Sequence, residues 1–135
     1  MGDRTLSPFI PILGSGRTRF QPIHVEDLAR CVVKCAEDPS LRNRTLEVGG
    51  LEPYTYEQLV DLVMRATGVH RPKIHVPLFA VRPAVGLMAH IVPNPPITPT
   101  ELAMLELDNV PRENAIESLL GVTPRRLPQN LAYLL

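Results

Sequence analysis

Apolar residues recur along this chain with helical spacing in some stretches and strand-like density in others, and prolines and glycines separate the stretches. Leu28, Cys31, Val32 and Cys35 fall at i, i+3, i+4 and i+7, one stripe of a helix that Glu26 and Asp27 open favourably and Pro39 stops. That stripe is expected to face a core. Just before it, "FQPIHV" (20–25) has strand composition, with Pro22 placing it at a sheet edge. "RTLEVGG" (44–50) reads as another strand, with Thr45, Leu46 and Val48 bounded by a glycine pair. "TYEQ" (55–58) predicts a capping box from Thr55 to Gln58, heading a helix that buries Leu59, Leu62, Val63 and Ala66 and ends at Gly68. "KIHVPL" (73–78) is a further short strand, and residues 79–91 form a helix that is apolar most of the way round. A second capping box, "TPTE" (98–101), puts Pro99 at the first helical position and starts a helix reaching about Asp108. "ENAIESLLG" predicts a short helix closed by Gly121, and "LPQNLAYLL" a last one. Residues 1–19 read as a loop or short helix ending in a turn at Gly14–Gly16.

This pattern gives an α/β fold of two to three short strands and about five helices, expected as one domain over residues 1–135. Parallel sheets grow from strand–helix–strand units, yet here helices outnumber strands. Three strands alone make a thin sheet, so the layer reads as part of a larger one.

Composition narrows the function. Fourteen basic residues balance fourteen acidic ones, so no net field draws in nucleic acid or an anionic membrane. The stretch 78–92 is interrupted by Arg82, Pro83 and His90, which excludes a spanning helix. Cys31 and Cys35 are too closely placed on one helix to form a disulfide; two buried thiols in a reducing cytoplasm are the expectation. The four histidines have no metal-ligand spacing, so no metal site is expected. No GxSxG elbow marks a serine nucleophile.

Three segments in order, "FQPIHVEDLARCVVKCAEDP", "RTLEVGGLEPYTYEQLVDLVMRATG" and "ITPTELAMLELDNV", resemble the C-terminal half of NAD(P)-dependent epimerase/dehydratase-like short-chain dehydrogenases. In particular they are similar to the atypical branch related to the 39-kDa subunit of respiratory complex I. The resemblance runs from about Gly14 to about Leu120. It implies the substrate-binding portion of a Rossmann-type enzyme whose N-terminal part supplies a Gly-rich dinucleotide loop and a Tyr-x-x-x-Lys pair.

Neither device is found here. Gly14-Ser15-Gly16 has Arg19 where a third glycine belongs. Four residues beyond Tyr54 and Tyr56 stand Gln58 and Val60, and the chain ends before a partner to Tyr133. The resemblance therefore implies no catalytic residue in this chain, NAD or NADP bound only by the full-length parent, and a Rossmann region as the missing partner. Nucleotide-sugar epimerases carry an Arg near the start of the first matched strand. Its position here is Phe20, and Arg19, one residue off, points to the other face of a strand.

Arg17 and Arg19 flank the Gly-rich turn and are the expected grip on an anionic group of a small-molecule substrate. His24, at the strand-to-helix junction, is the third expected substrate contact, set against a packed junction role. Asp27 is expected to satisfy local backbone N–H groups. A different class of function, a non-catalytic module docking an apolar ligand or a partner subunit, is motivated by the apolar stretch 78–97. Severed from a larger sheet, the chain is expected to dimerise in isolation.

Overall fold

The computed structural model describes residues 8–91 and 97–131. Among these run β1 (Ile10–Leu13), β2 (Arg19–Phe20), α1 (Val25–Glu37), β3 (Tyr54–Thr55), α2 (Tyr56–Thr67), β4 (Lys73–Val76), α3 (Leu78–Ile91), α4 (Pro99–Met104) and α5 (Ala115–Ser118). The α/β class expected from the sequence holds. The chain folds into two compact units. One takes the described residues up to Thr18 and those from Thr55 to Asp108; the other takes Arg19–Tyr54 and the described residues from Asn109 onward.

In the first unit β1 and β4 pair in parallel, from Ile10 opposite Lys73 to Leu13 opposite Val76. The expected irregular N-terminus thus contains a strand. "FIPIL" has the density for one, but Pro8 and Pro11 hide it; Pro11 is tolerated because the parallel ladder calls on alternate N–H groups. Ile12 is completely buried, and Val85 of α3 and Leu102 of α4 are nearly so. The turn after β1 runs through Gly14 and Gly16 at φ 75° and 69°, backbone that side chains resist. A Cβ on Gly16 would stand 2.9 Å from Ile12 and 3.2 Å from Glu57, so glycine lets the head of α2 close on the turn. Glu57 N–H then donates to Gly16 O at 3.0 Å, and Tyr56 N–H to Thr18 O at 2.8 Å.

Both capping boxes form as expected. Gly68 caps α2 in the left-handed region at φ 69°. The burial expected along α2 does not occur: none of its residues is fully buried, and Val63 is 44 % exposed. Its apolar side instead lines an open groove of about 560 Å³ with Phe9, Ile10 and Pro11. α3 begins one residue early and carries Pro83 inside it. α4 stops at Met104, short of the expected Asp108, because Leu105–Leu107 close in tighter turns.

In the second unit the strand expected over 20–25 shrinks to β2, which pairs with β3 and bridges Asn109 at Phe20. Pro22 has no N–H to extend the ladder, and Val25 already belongs to α1. The strand expected over 44–50 is likewise not one. Thr45 and Glu47 are exposed while Leu46 and Val48 are half-buried, which is strand alternation, but no strand among the described residues pairs with them. Glu47 O accepts from Ala115 N–H at 2.9 Å, and Asn114 binds the glycine pair through Gly49 N–H, Gly49 O and Gly50 O.

The core here is Cys31, Leu41, Ile116, Leu120 and Val122, with Ile23, Leu46 and Val48 against it. The stripe expected along α1 is displaced: Cys31 is buried, but Leu28 and Val32 are 39 % and 62 % exposed, and Cys35 is an exposed thiol. The buried pair is Asp27 and Cys31, one turn apart. The inward carboxylate rotates α1 away from the face that hydrophobicity alone selects.

Residues 1–7, the 92–96 part of the "VPNPPI" loop and 132–135 of the expected last helix, with Tyr133, lie outside the described residues. Leu127–Asn130 make a single 3₁₀ turn.

Candidate functional site

Parallel strands leave their carboxyl ends facing a crevice, where α/β folds bind ligands. In the first unit that position is a cleft of about 550 Å³. Gly14, Ser15 and Thr18 of the turn after β1 form one wall; His75, Pro77, Leu78 and Phe79 at the end of β4 and the start of α3 form another, and Leu105 and Glu106 complete it. Thr18 Oγ1 donates to Leu105 O, fixing the turn to the segment after α4. Phe79 stands 80 % exposed at the rim.

Beside the cleft, α2 and β4 face each other with opposite charges. Glu57 and Asp61 lie one turn apart on α2, a spacing that repels unless a cation intervenes. Lys73 supplies it, with Nζ 2.7 Å from Glu57 Oε1 and 2.8 Å from Asp61 Oδ1. The bond to Lys73 holds the Glu57 carboxyl below its usual range, while Asp61, then Glu57, raise Lys73. His75, two residues from Lys73 and so on the same strand face, brings Nε2 to 3.3 Å from Glu57 Oε2. Arg82 bonds Glu106. The polar side chains lining the cleft are the Glu106 carboxylate, the His75 imidazole and the Ser15 and Thr18 hydroxyls.

In the second unit Asp27 is the organising group. Its Oδ2 accepts from Arg125 N–H at 2.9 Å, and its Oδ1 lies 3.5 Å from Arg125 Nε and 3.7 Å from Arg30. The expected local role of Asp27 gives way to a bond spanning 98 positions. The Arg125 guanidinium continues to Glu26 and to His24 Nδ1. This contact holds the Glu26 carboxyl below its usual range. His24 Nδ1 also accepts from Glu26 N–H at 3.2 Å, capping α1. With two donors on Nδ1, the neutral ring carries its proton on Nε2. His24, Glu26 and Arg125 border a second cleft of about 640 Å³ with Pro22, Ile23, Leu127 and Leu131.

The three residues expected to contact substrate are distributed between the units. Arg17 is exposed in the first, its N–H on Ser15 Oγ at 3.2 Å. Arg19 is an exposed residue of β2, its carbonyl accepting from Asn109 N–H at 2.7 Å. His24 is the cap of α1. Sequence reading overlooked Glu57, Lys73 and His75, although a signal existed: acids at helical i, i+4 opposite bases at strand i, i+2. Arg125 had no local signal. Among the described residues no three His, Cys, Asp or Glu side chains are placed to hold a metal, and no helix is long and apolar enough to cross a membrane.

No family model matches the chain. Over 71 positions it is 34 % identical to the mitochondrial NADH dehydrogenase [ubiquinone] 1 alpha subcomplex subunit 9 of Arabidopsis thaliana, covering 45 % of this chain and 18 % of that protein. The Dictyostelium discoideum protein of the same name is 28 % identical over 71 positions, covering 53 % and 19 %. Its fold matches a nucleoside-diphosphate-sugar epimerase of Staphylococcus aureus with a TM-score of 0.64 at 18 % identity, covering 90 % of this chain and 43 % of that one. The protein gox2253 matches with a TM-score of 0.60 at 20 % identity, covering 90 % and 37 %. The matched stretches thus span under half the length of each relative. In fold this chain is similar to a nucleoside-diphosphate-sugar epimerase and to gox2253, and in part of its sequence to NADH dehydrogenase alpha subcomplex subunit 9.

Proposed function

We propose that this chain is the substrate-side portion of an NAD(P)-dependent epimerase/dehydratase-like oxidoreductase. The dinucleotide and the Tyr-x-x-x-Lys chemistry come from a Rossmann region outside these residues. The observation that carries the reading is the 550 Å³ cleft at the carboxyl ends of β1 and β4, in a fold shared with epimerase-like proteins over 90 % of the chain. The reaction class is hydride transfer to or from an alcohol or carbonyl carbon. This chain's part is to bind and orient the substrate and to exclude water. Phe20 stands where nucleotide-sugar epimerases carry an Arg, which speaks against a nucleotide-sugar substrate, and Arg82, engaged by Glu106, is not a free cation for a phosphate.

Amide NMR of the full chain titrated with methyl glucoside, a neutral hydroxylated ring, tests the location of binding. Shifts confined to Gly14–Thr18, His75–Phe79 and Leu105–Glu106 are expected. Shifts that avoid these residues would remove the cleft from the account.

A second reading, an assembly module docking a partner subunit, is favoured by one feature. α1 displays Val25, Leu28, Val32 and Val33, between 39 % and 73 % exposed. The two readings part on whether a small ligand or a protein surface protects the chain's exposed residues from exchange.

A further inference from the structure

We infer that His75, oriented by Glu57, is a hydrogen-bond acceptor for a hydroxyl of the ligand in the first unit's cleft, with Glu57 as its positioning residue. The inference rests on the proposed cleft and adds a role within it.

Glu57 is held at two points. Its backbone N–H is held by Gly16 O at 3.0 Å, the absence of a side chain at Gly16 permits that approach, and Lys73 Nζ grips Oε1 at 2.7 Å. The other carboxylate oxygen, Oε2, is then left facing His75 Nε2 at 3.3 Å. A carboxylate only accepts, so the neutral imidazole donates through Nε2–H and its Nδ1 carries a bare lone pair. That nitrogen has no protein partner among the described residues. The ring is half-exposed and lines the cleft.

The charged groups around the ring are Glu57 and Asp61 on α2, Lys73 on β4 and, across the cleft, Glu106 with Arg82. Lys73 and Arg82 are each held by carboxylates, so the Glu106 carboxylate and the bare His75 nitrogen stand as acceptors at the cleft, beside the Ser15 hydroxyl. Acceptors select O–H groups, and the apolar wall of Leu78, Phe79 and Leu105 suits the C–H face of a ring that carries them.

Long-range proton–nitrogen NMR of the His75 ring, with the imidazole neutral, reads the tautomer directly. The wild-type chain is expected to show Nε2–H with Nδ1 bare. Glu57→Leu is expected to mix the tautomers, and Glu57→Gln, which keeps an accepting oxygen, to preserve the wild-type form; the amide spectrum checks that each variant folds. Adding methyl glucoside is expected to move the His75 Nδ1 resonance together with the cleft amides. An Nδ1–H tautomer in the wild type, or a tautomer indifferent to Glu57→Leu, overturns the inference. Cleft amides that shift while Nδ1 does not overturn it too, and leave the cleft reading standing. Silence of every cleft resonance overturns both.

Discussion

Asp27 is a buried carboxylate in the second unit that ties α1 to the segment at Arg125. Its carboxylate is fully buried, receives the Arg125 N–H and faces two guanidinium groups. Replacing it with Ala leaves a buried donor and Arg125 without their acceptor, which costs about 3 kcal/mol. Asp27→Asn retains an oxygen for the N–H and should lose roughly 1 kcal/mol. Urea denaturation of the pair measures the difference, and equal losses would refute the bond's role. Hydrophobic periodicity could not reveal this site, since a stripe analysis counts Asp27 as solvent-facing. The residue that explains its burial, Arg125, is 98 positions away.

Tyr54 offers a spectroscopic check. Burial, then its bond to Glu52, raises its phenol to about 12. A raised folded value means the protonated form is favoured by folding. That contribution is complete below the ordinary value of 10.0 and is lost as pH rises toward about 12. Alkaline absorbance titration should show one tyrosine ionising late, and Tyr54→Phe should remove that step. The carboxylates give the opposite sign. Glu57, held down chiefly by Lys73, and Glu26, held down chiefly by Arg125, are depressed from 4.5. Their stabilisation is present above pH 4.5 and is lost as pH falls through the lower folded values.

Local signals at the scale of elements were legible where the partners are near in sequence. Both capping boxes, the Gly68 and Gly121 ends and α3 follow from residues within four positions of each other. Thr55→Ala should therefore cost about 1 kcal/mol through the head of α2, read as a lower thermal midpoint. What failed was what depends on a neighbour. β1 was hidden by its prolines and is made a strand by β4, sixty-three residues on in register. The stretch 44–50 has strand alternation but no ladder. Asn114 substitutes for one by meeting both glycines and by capping α5. Asn114→Ala should thus destabilise the second unit by about 2 kcal/mol, more than an ordinary cap. A loss under half of that would show the glycine bonds to be idle.

Across the whole molecule, apolar side chains remain outside. Val25 is 73 % exposed, Phe79 80 % and Ile91 69 %, and α2 buries none of its apolar face completely. Such surface is costly to leave in water at roughly 25 cal/mol per Å². We therefore predict self-association of the isolated chain, weakened by Val32→Glu on α1; light scattering showing a monomer at high concentration would contradict this. The coarse class and the resemblance were readable because they rest on ordered short motifs. The cleft was not, because its walls come from three separated segments.

Most directly at stake is the proposed division of labour, in which these residues supply the substrate side and a region outside them the dinucleotide side. Isothermal titration of the full chain with NADH and with NADPH tests it. The account predicts no tight binding of either, and micromolar affinity for one of them would contradict it.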